Sequence, residues 1–67
     1  MLTGTVKQYD QQKGWGFISI PHEPAVYVHA RGIMPYDRHE LRSGDRVSLV
    51  VIQGKRGPQA ARVKIIR

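Results

Sequence analysis

The sequence predicts an all-β fold, a small five-stranded antiparallel barrel, and three observations carry that prediction. The chain has 67 residues, which is enough for one domain, residues 1–67. Its apolar residues come in short runs separated by turn-forming residues. Within those runs side chains alternate with period two, so each strand presents two unlike faces. A domain of this size buries roughly 60% of the surface that its unfolded chain exposes. It has no cysteine, so neither a disulfide nor a thiolate metal site supplements the core.

The elements follow in order. The first strand is predicted over 2–9. Asp10-Gln11-Gln12-Lys13-Gly14 is a polar turn ending in glycine. The second strand is predicted over 15–20, and Pro21-His22-Glu23-Pro24 ends it, because two prolines cannot feed a central ladder. The third strand is predicted over 25–29, the fourth over 46–53 and the fifth over 59–66. Gly54-Lys55-Arg56-Gly57-Pro58 joins the last two as a basic loop bounded by glycines. Residues 30–45 carry Gly32, Pro35 and Gly44, which punctuate any long helix. They are expected to form a long irregular connection anchored by Ile33 and Leu41, with a helical turn near Ile33 or around 38–41. Five short strands in so short a chain suggest a barrel of the OB type, whose closure removes exposed edges.

The strands have two faces. In the second, Gly16, Ile18 and Ile20 fall on one side, and Trp15, Phe17 and Ser19 on the other. In the third, Val26 and Val28 oppose Ala25, Tyr27 and His29. One domain has one core, and Val47, Leu49, Val51, Val63 and Ile65 alternate in the later strands as an aliphatic interior would require. That disfavours the opposite assignment, in which Trp15, Phe17 and Tyr27 are core. Trp15, Phe17, Tyr27 and His29 are therefore expected to form an exposed patch, and such patches mark binding surfaces.

Charge suggests the partner. Eleven Lys and Arg face five Asp and Glu, a formal net charge of +6. A basic domain attracts polyanions, nucleic acid first among them. Bases stack on aromatic rings for about 1–3 kcal/mol each. Lys7, Lys13, Lys55, Arg56 and Arg62 are candidates for a rim that holds the phosphates. Lys13-Gly14-Trp15-Gly16-Phe17-Ile18 follows the ribonucleoprotein-type pattern of basic residue, Gly, aromatic, Gly, Phe, aliphatic. Its glycines are expected to clear space beside the rings for bases. Recognition-motif domains of RNA-binding proteins share this stacking logic, but they need two long helices, and their motif follows its partner strand.

Further segments accompany the hexamer: Gly4-Thr5-Val6-Lys7, Val26-Tyr27-Val28-His29, Leu41-Arg42-Ser43-Gly44-Asp45-Arg46-Val47 and Gly57-Pro58-Gln59-Ala60-Ala61-Arg62-Val63. In this order and spacing the chain closely resembles the bacterial cold-shock protein family, from about residue 2 to about residue 66. The resemblance implies a five-stranded antiparallel OB-type barrel. It implies binding of single-stranded RNA or DNA with low sequence specificity, often pyrimidine-rich, in the role of an RNA chaperone or transcription antiterminator. Lys7, Lys13, Trp15, Phe17, Tyr27 and His29 match the family's binding positions. Arg56 and Gln59 match peripheral contacts, and the 54–58 loop matches one that borders the nucleic-acid groove. Tyr9 matches an aromatic position beside the site, partly in the core.

Two departures stand out. The family usually has Trp where this chain has Gln8, and Phe where it has Ala30. Each is a lost stacking surface of about 1–3 kcal/mol. Trp15, in place of the usual Phe, offers a larger ring. Arg31 supplies a guanidinium plane that can stack on a base, and Tyr36 is a candidate for the aromatic that many members carry in the long loop. Binding of the same kind is expected, with a shorter or shifted footprint.

Other chemistry finds little support. His22, His29 and His39 lack the close pairing of zinc sites, so no metal and no cofactor are expected. Glu23, Asp37 and His39 fall in predicted loops, where charges are usually solvated, and no carboxylate pair has catalytic spacing. No P-loop is present. The chain is read as a binding protein and not an enzyme. The reading from a different class is a protein-interaction barrel, or a module of a longer protein, whose aromatic patch docks a peptide or partner subunit. No apolar run approaches the roughly 18 residues of a membrane span, and the N-terminus lacks the pattern of a secretory signal. The expected address is the cytoplasm, with no membrane partner. Monomer is the default state, with a strand-exchanged dimer left open.

Overall fold

In the computed structural model, residues 2–55 and 57–67 are described. Leu2–Asp10 forms strand β1, and Asp10 ends it by folding its carboxylate over the turn. Its Oδ1 accepts the backbone N–H groups of Gln12 at 2.9 Å and Lys13 at 3.0 Å. Gly14, at φ +76°, completes the reversal in a conformation that costs other residues more. Trp15–Ser19 then returns as β2 and Val26–His29 follows as β3. Arg46–Gly54 forms β4 and Gly57–Ile65 forms β5.

The strands close into a barrel in the order β1-β2-β3-β5-β4. Four neighbouring pairs are antiparallel, but β3 and β5 run parallel, pairing Tyr27 with Gln59 and Val28 with Ala60. This corrects the expectation of a purely antiparallel barrel, and the reason is one of parity. Strand direction cannot alternate around a closed ring with an odd number of members. The parallel pair falls between the two strands that are joined through 30–45 and β4, where no hairpin fixes the direction.

The interior is aliphatic. Val6, Ile18, Ile20, Val26, Val28, Ile33, Leu41, Val47, Leu49, Ala60 and Val63 are buried, with Tyr9 and Ile65 packed against them. Burying one such aliphatic side chain fully is worth about 1.5–3 kcal/mol. Val51, expected inside, is 38% exposed. The pairing of β4 with β5 slips between Ser48 and Val50, and that slip turns the later residues of β4 over. On β5, Arg62 takes φ 53°, which brings Ala60 and Val63 both inward and breaks the period of two.

Residues 30–45 wrap one end of the barrel, with Ile33 and Leu41 as the expected anchors, 2% and 1% exposed. One 3-10 turn, Ala30–Gly32, immediately precedes Ile33. The other is Pro35–Asp37, where proline's fixed φ suits the first position, and not 38–41. Asp37 corrects the sequence reading as well. It is 1% exposed, and its carboxylate accepts from the Ile65 backbone at 3.0 Å and from Arg67 at 2.9 Å. It is a clamp on the C-terminal segment and not a solvated loop charge.

Candidate nucleic-acid interface

Residues directly opposite each other in paired strands share a face, so the register itself lays out the outer surface. Gln8 lies opposite Phe17, Phe17 opposite Tyr27, and Tyr27 opposite Gln59. That is one row across β1, β2, β3 and β5. A second row runs Asp10, Trp15, His29. Trp15, Phe17, Tyr27 and His29 are all half-buried, on the side away from the aliphatic interior.

Three rings form a connected cluster. The Trp15 and Phe17 centroids are 5.8 Å apart with planes at 90°. Trp15 and Tyr27 lie 6.3 Å apart at 28°, and Phe17 and Tyr27 6.2 Å apart at 73°. Edge-to-face and offset contacts of this kind hold the rings in place. His29 is oriented from beside them, because its Nδ1 accepts the Arg31 backbone N–H at 3.1 Å. In the neutral ring the proton then sits on Nε2, leaving a donor for a ligand.

Gly16 serves the chain's own packing, which differs from the space-clearing role expected of it, while Gly14 serves the turn. Gly16 is buried on the inner face, where a Cβ would approach the Tyr9 Cα to 2.7 Å and clash with the Gln8 carbonyl oxygen. Gly16 is therefore what lets β1 and β2 come this close.

The cations differ in place. Lys7 is the extra residue of a bulge, since pairing with β2 slips between Val6 and Gln8, and it is exposed beside the Gln8 row. Lys13 is exposed in the turn next to Trp15, and Arg31 is exposed beside His29. Lys55 is exposed in the turn between β4 and β5. Arg62 is exposed at the β5 irregularity, beyond the Gln59 position that meets Tyr27. Arg56 lies outside the described residues. Tyr36 is 61% exposed on the second 3-10 turn and makes no ring contact with the cluster among the described residues. Tyr9 packs partly on the core, and burial, more than its charged neighbours, raises its phenol pKa above the usual 10.0. Among the described residues, no group of three His, Asp or Glu is arranged to hold a metal. Among the described residues, no helix is long and apolar enough to cross a membrane.

Residues 2–66 match the family model described as the 'Cold-shock' DNA-binding domain. The chain belongs to the cold-shock domain family. The Vibrio cholerae cold shock-like protein CspA is 46% identical over 63 residues, covering 92% of this chain and 90% of that protein. The Bacillus cereus major cold shock protein CspA is 42% identical over 62 residues, 92% of each chain. The cold shock protein CspA of Staphylococcus saprophyticus is 43% identical over 63 residues, 94% of this chain and 96% of that one. Among solved structures, one titled drosophila Unr CSD456 superposes with a TM-score of 0.79 at 24% identity. It covers 98% of this chain, which spans 26% of that one, and it speaks to the fold alone.

In this cold-shock domain the outer face ends differently at its two sides. Beside Trp15 a polar groove of about 560 Å³ opens, with Gln8, Asp10 and Ser43 among its lining residues. Beside Phe17 and Tyr27 an apolar groove of about 620 Å³ is lined by Leu2, Pro24, Val51 and Pro58 among others. Sequence reasoning missed most of this lining. Val51 reaches the outer face only because β4 slips register, and Ser43 reaches Trp15 only through the fold. The position of Ala30 is set by its own bonds: its N–H donates to the Gly14 carbonyl at 2.8 Å, and its carbonyl accepts the Arg38 Nε at 2.9 Å. The side chain of Arg38 thus holds the backbone beside the rings.

Proposed function

We propose that this cold-shock domain binds single-stranded RNA or DNA, stacking bases on Trp15, Phe17 and Tyr27. One observation carries the reading: three rings in mutual contact stand outside a barrel whose aliphatic core closes without them. A face kept aromatic and open fits a flat π-system as ligand. Lys7, Lys13 and Arg31 meet the phosphates, and His29 and Gln59 contribute hydrogen bonds at the margin. The printed description of the matching family, a DNA-binding domain, supports the same chemistry. Stacking needs an exposed base face, so the paired form of a nucleic acid is a poor ligand.

The role that follows is that of a passive RNA chaperone, acting on transcripts and in that way on antitermination. Binding only the open strand stabilises it by RT ln(1 + [protein]/Kd), so mass action shifts a hairpin toward its unpaired form without nucleotide hydrolysis. Trp15 is the single tryptophan and belongs to the ring cluster. Titration with a pyrimidine hexanucleotide should quench its fluorescence, and a duplex of equal length should do so far less. The log–log salt dependence should have a slope of roughly −0.7 per phosphate contacted. Absence of binding at low salt would overturn the reading and favour a protein ligand for the face.

A further inference from the structure

The polar groove beside Trp15 has a chemistry of its own. It adjoins the ring cluster through Trp15 and the phosphate-binding margin through Lys13. Part of its polar lining is already engaged: the Asp10 Oδ1 holds the turn, and the Gln11 amide donates to the His39 and Leu41 carbonyls at 2.9 and 3.2 Å. Gln8 is different. It is exposed, it lies on the outer face opposite Phe17, and its amide forms no hydrogen bond with any described residue. The Asp10 Oδ2 likewise accepts nothing from the described residues.

Against the rings the groove therefore offers two unused acceptors, the Gln8 carbonyl opposite Phe17 and the Asp10 Oδ2 opposite Trp15, with the Gln8 amide donor alongside, while Gln12, Lys13 and Ser43 also line it. The Asp10 carboxylate repels a phosphate from the position beside Trp15 and leaves phosphate contact to Lys13, so a base fits against the ring better than the backbone does. The acceptors favour a base carrying an exocyclic amine over one presenting a carbonyl there. A carboxamide's adjacent donor and acceptor complement the amine and neighbouring ring nitrogen of adenine, a pairing that glutamine commonly makes. Single-stranded bases present these edges when they are splayed out against aromatic side chains.

We propose that this groove is a base-reading subsite that takes an adenine, set against Trp15 and hydrogen-bonded through its 6-amino group to Gln8 and Asp10. The inference rests on the single-strand reading above and adds sequence preference at one end of the bound strand.

The test uses the full chain, oligothymidine hexamers and Trp15 fluorescence or calorimetry. Each hexamer carries one adenine, moved along the six positions, and then an unsubstituted purine at the best position. One terminal position should favour adenine over thymine by about tenfold, and unsubstituted purine, which keeps the two-ring surface but lacks the amine, should lose the gain. Gln8→Ala should reduce the adenine-to-thymine ratio to below about twofold by removing the carboxamide that makes the pairing. Gln8→Glu, which keeps only acceptors, should move the preference toward cytosine. Equal binding of all the hexamers would overturn this inference while leaving the stacking reading standing. So would a purine that keeps the gain, or a Gln8→Ala variant that keeps the preference. Failure of every hexamer, oligothymidine included, would overturn both.

Discussion

The two sides of β2 and β3 are built from the same nine residues and do opposite work. Inward, Gly16, Ile18, Val26 and Val28 are buried against the other strands. Outward, Trp15, Phe17, Tyr27 and His29 stay half-exposed in rows set by the register. Aliphatic side chains suffice to fill so narrow an interior. The larger rings are not needed there, so the outer face can specialise in binding without taking material from the core. On the proposed reading, stability and recognition fall to separate sets of residues that alternate along the same two strands.

The separation can be tested from its strongest side. Ile18→Ala removes a fully buried side chain and should cost about 2–5 kcal/mol in urea unfolding, a large fraction of what a domain this small possesses. Binding should be lost only as far as the barrel unfolds. Phe17→Ala and Tyr27→Ala should each weaken single-strand binding by about 1–3 kcal/mol in a fluorescence titration, while the barrel stays folded. A pair of variants that bound like the wild type would contradict stacking. If either variant unfolded the domain, the two faces would not be independent. The smallest effect is expected away from both faces. Asp37→Asn keeps an acceptor for the Ile65 N–H but gives up the charge that faces Arg67. A stability loss of about 0.5–1.5 kcal/mol is expected, with single-strand affinity unchanged. A change in affinity would mean that the C-terminal clamp positions the aromatic face.

Much of the site was legible because period two is a local property. The assignment of Trp15, Phe17, Tyr27 and His29 to one side and Gly16, Ile18, Val26 and Val28 to the other needed only the order of residues along two strands. Ile33 and Leu41 were legible as lone large aliphatics in a punctuated connection. Val51, Ala60 and Arg62 were not. Their facing depends on where β4 and β5 slip against each other, and a slip belongs to the pair of strands and not to either sequence. Asp37 was misread because an acidic residue beside a proline and a tyrosine gives no sign of the Ile65 amide and Arg67 that meet it from 28 and 30 residues away.

The sequence by itself determined the number of strands, their two unlike faces, the basic charge and the family to which the chain belongs. These follow from short-range patterns and composition, which survive any arrangement of the strands. Only the tertiary structure decided the parallel pairing of β3 with β5, the close approach that requires Gly16, and the groove in which Gln8, Asp10, Ser43 and Trp15 meet. Each of these depends on closing the ring. Closure brings distant segments together, forces one pair out of alternation, and places polar side chains where no local pattern could have put them.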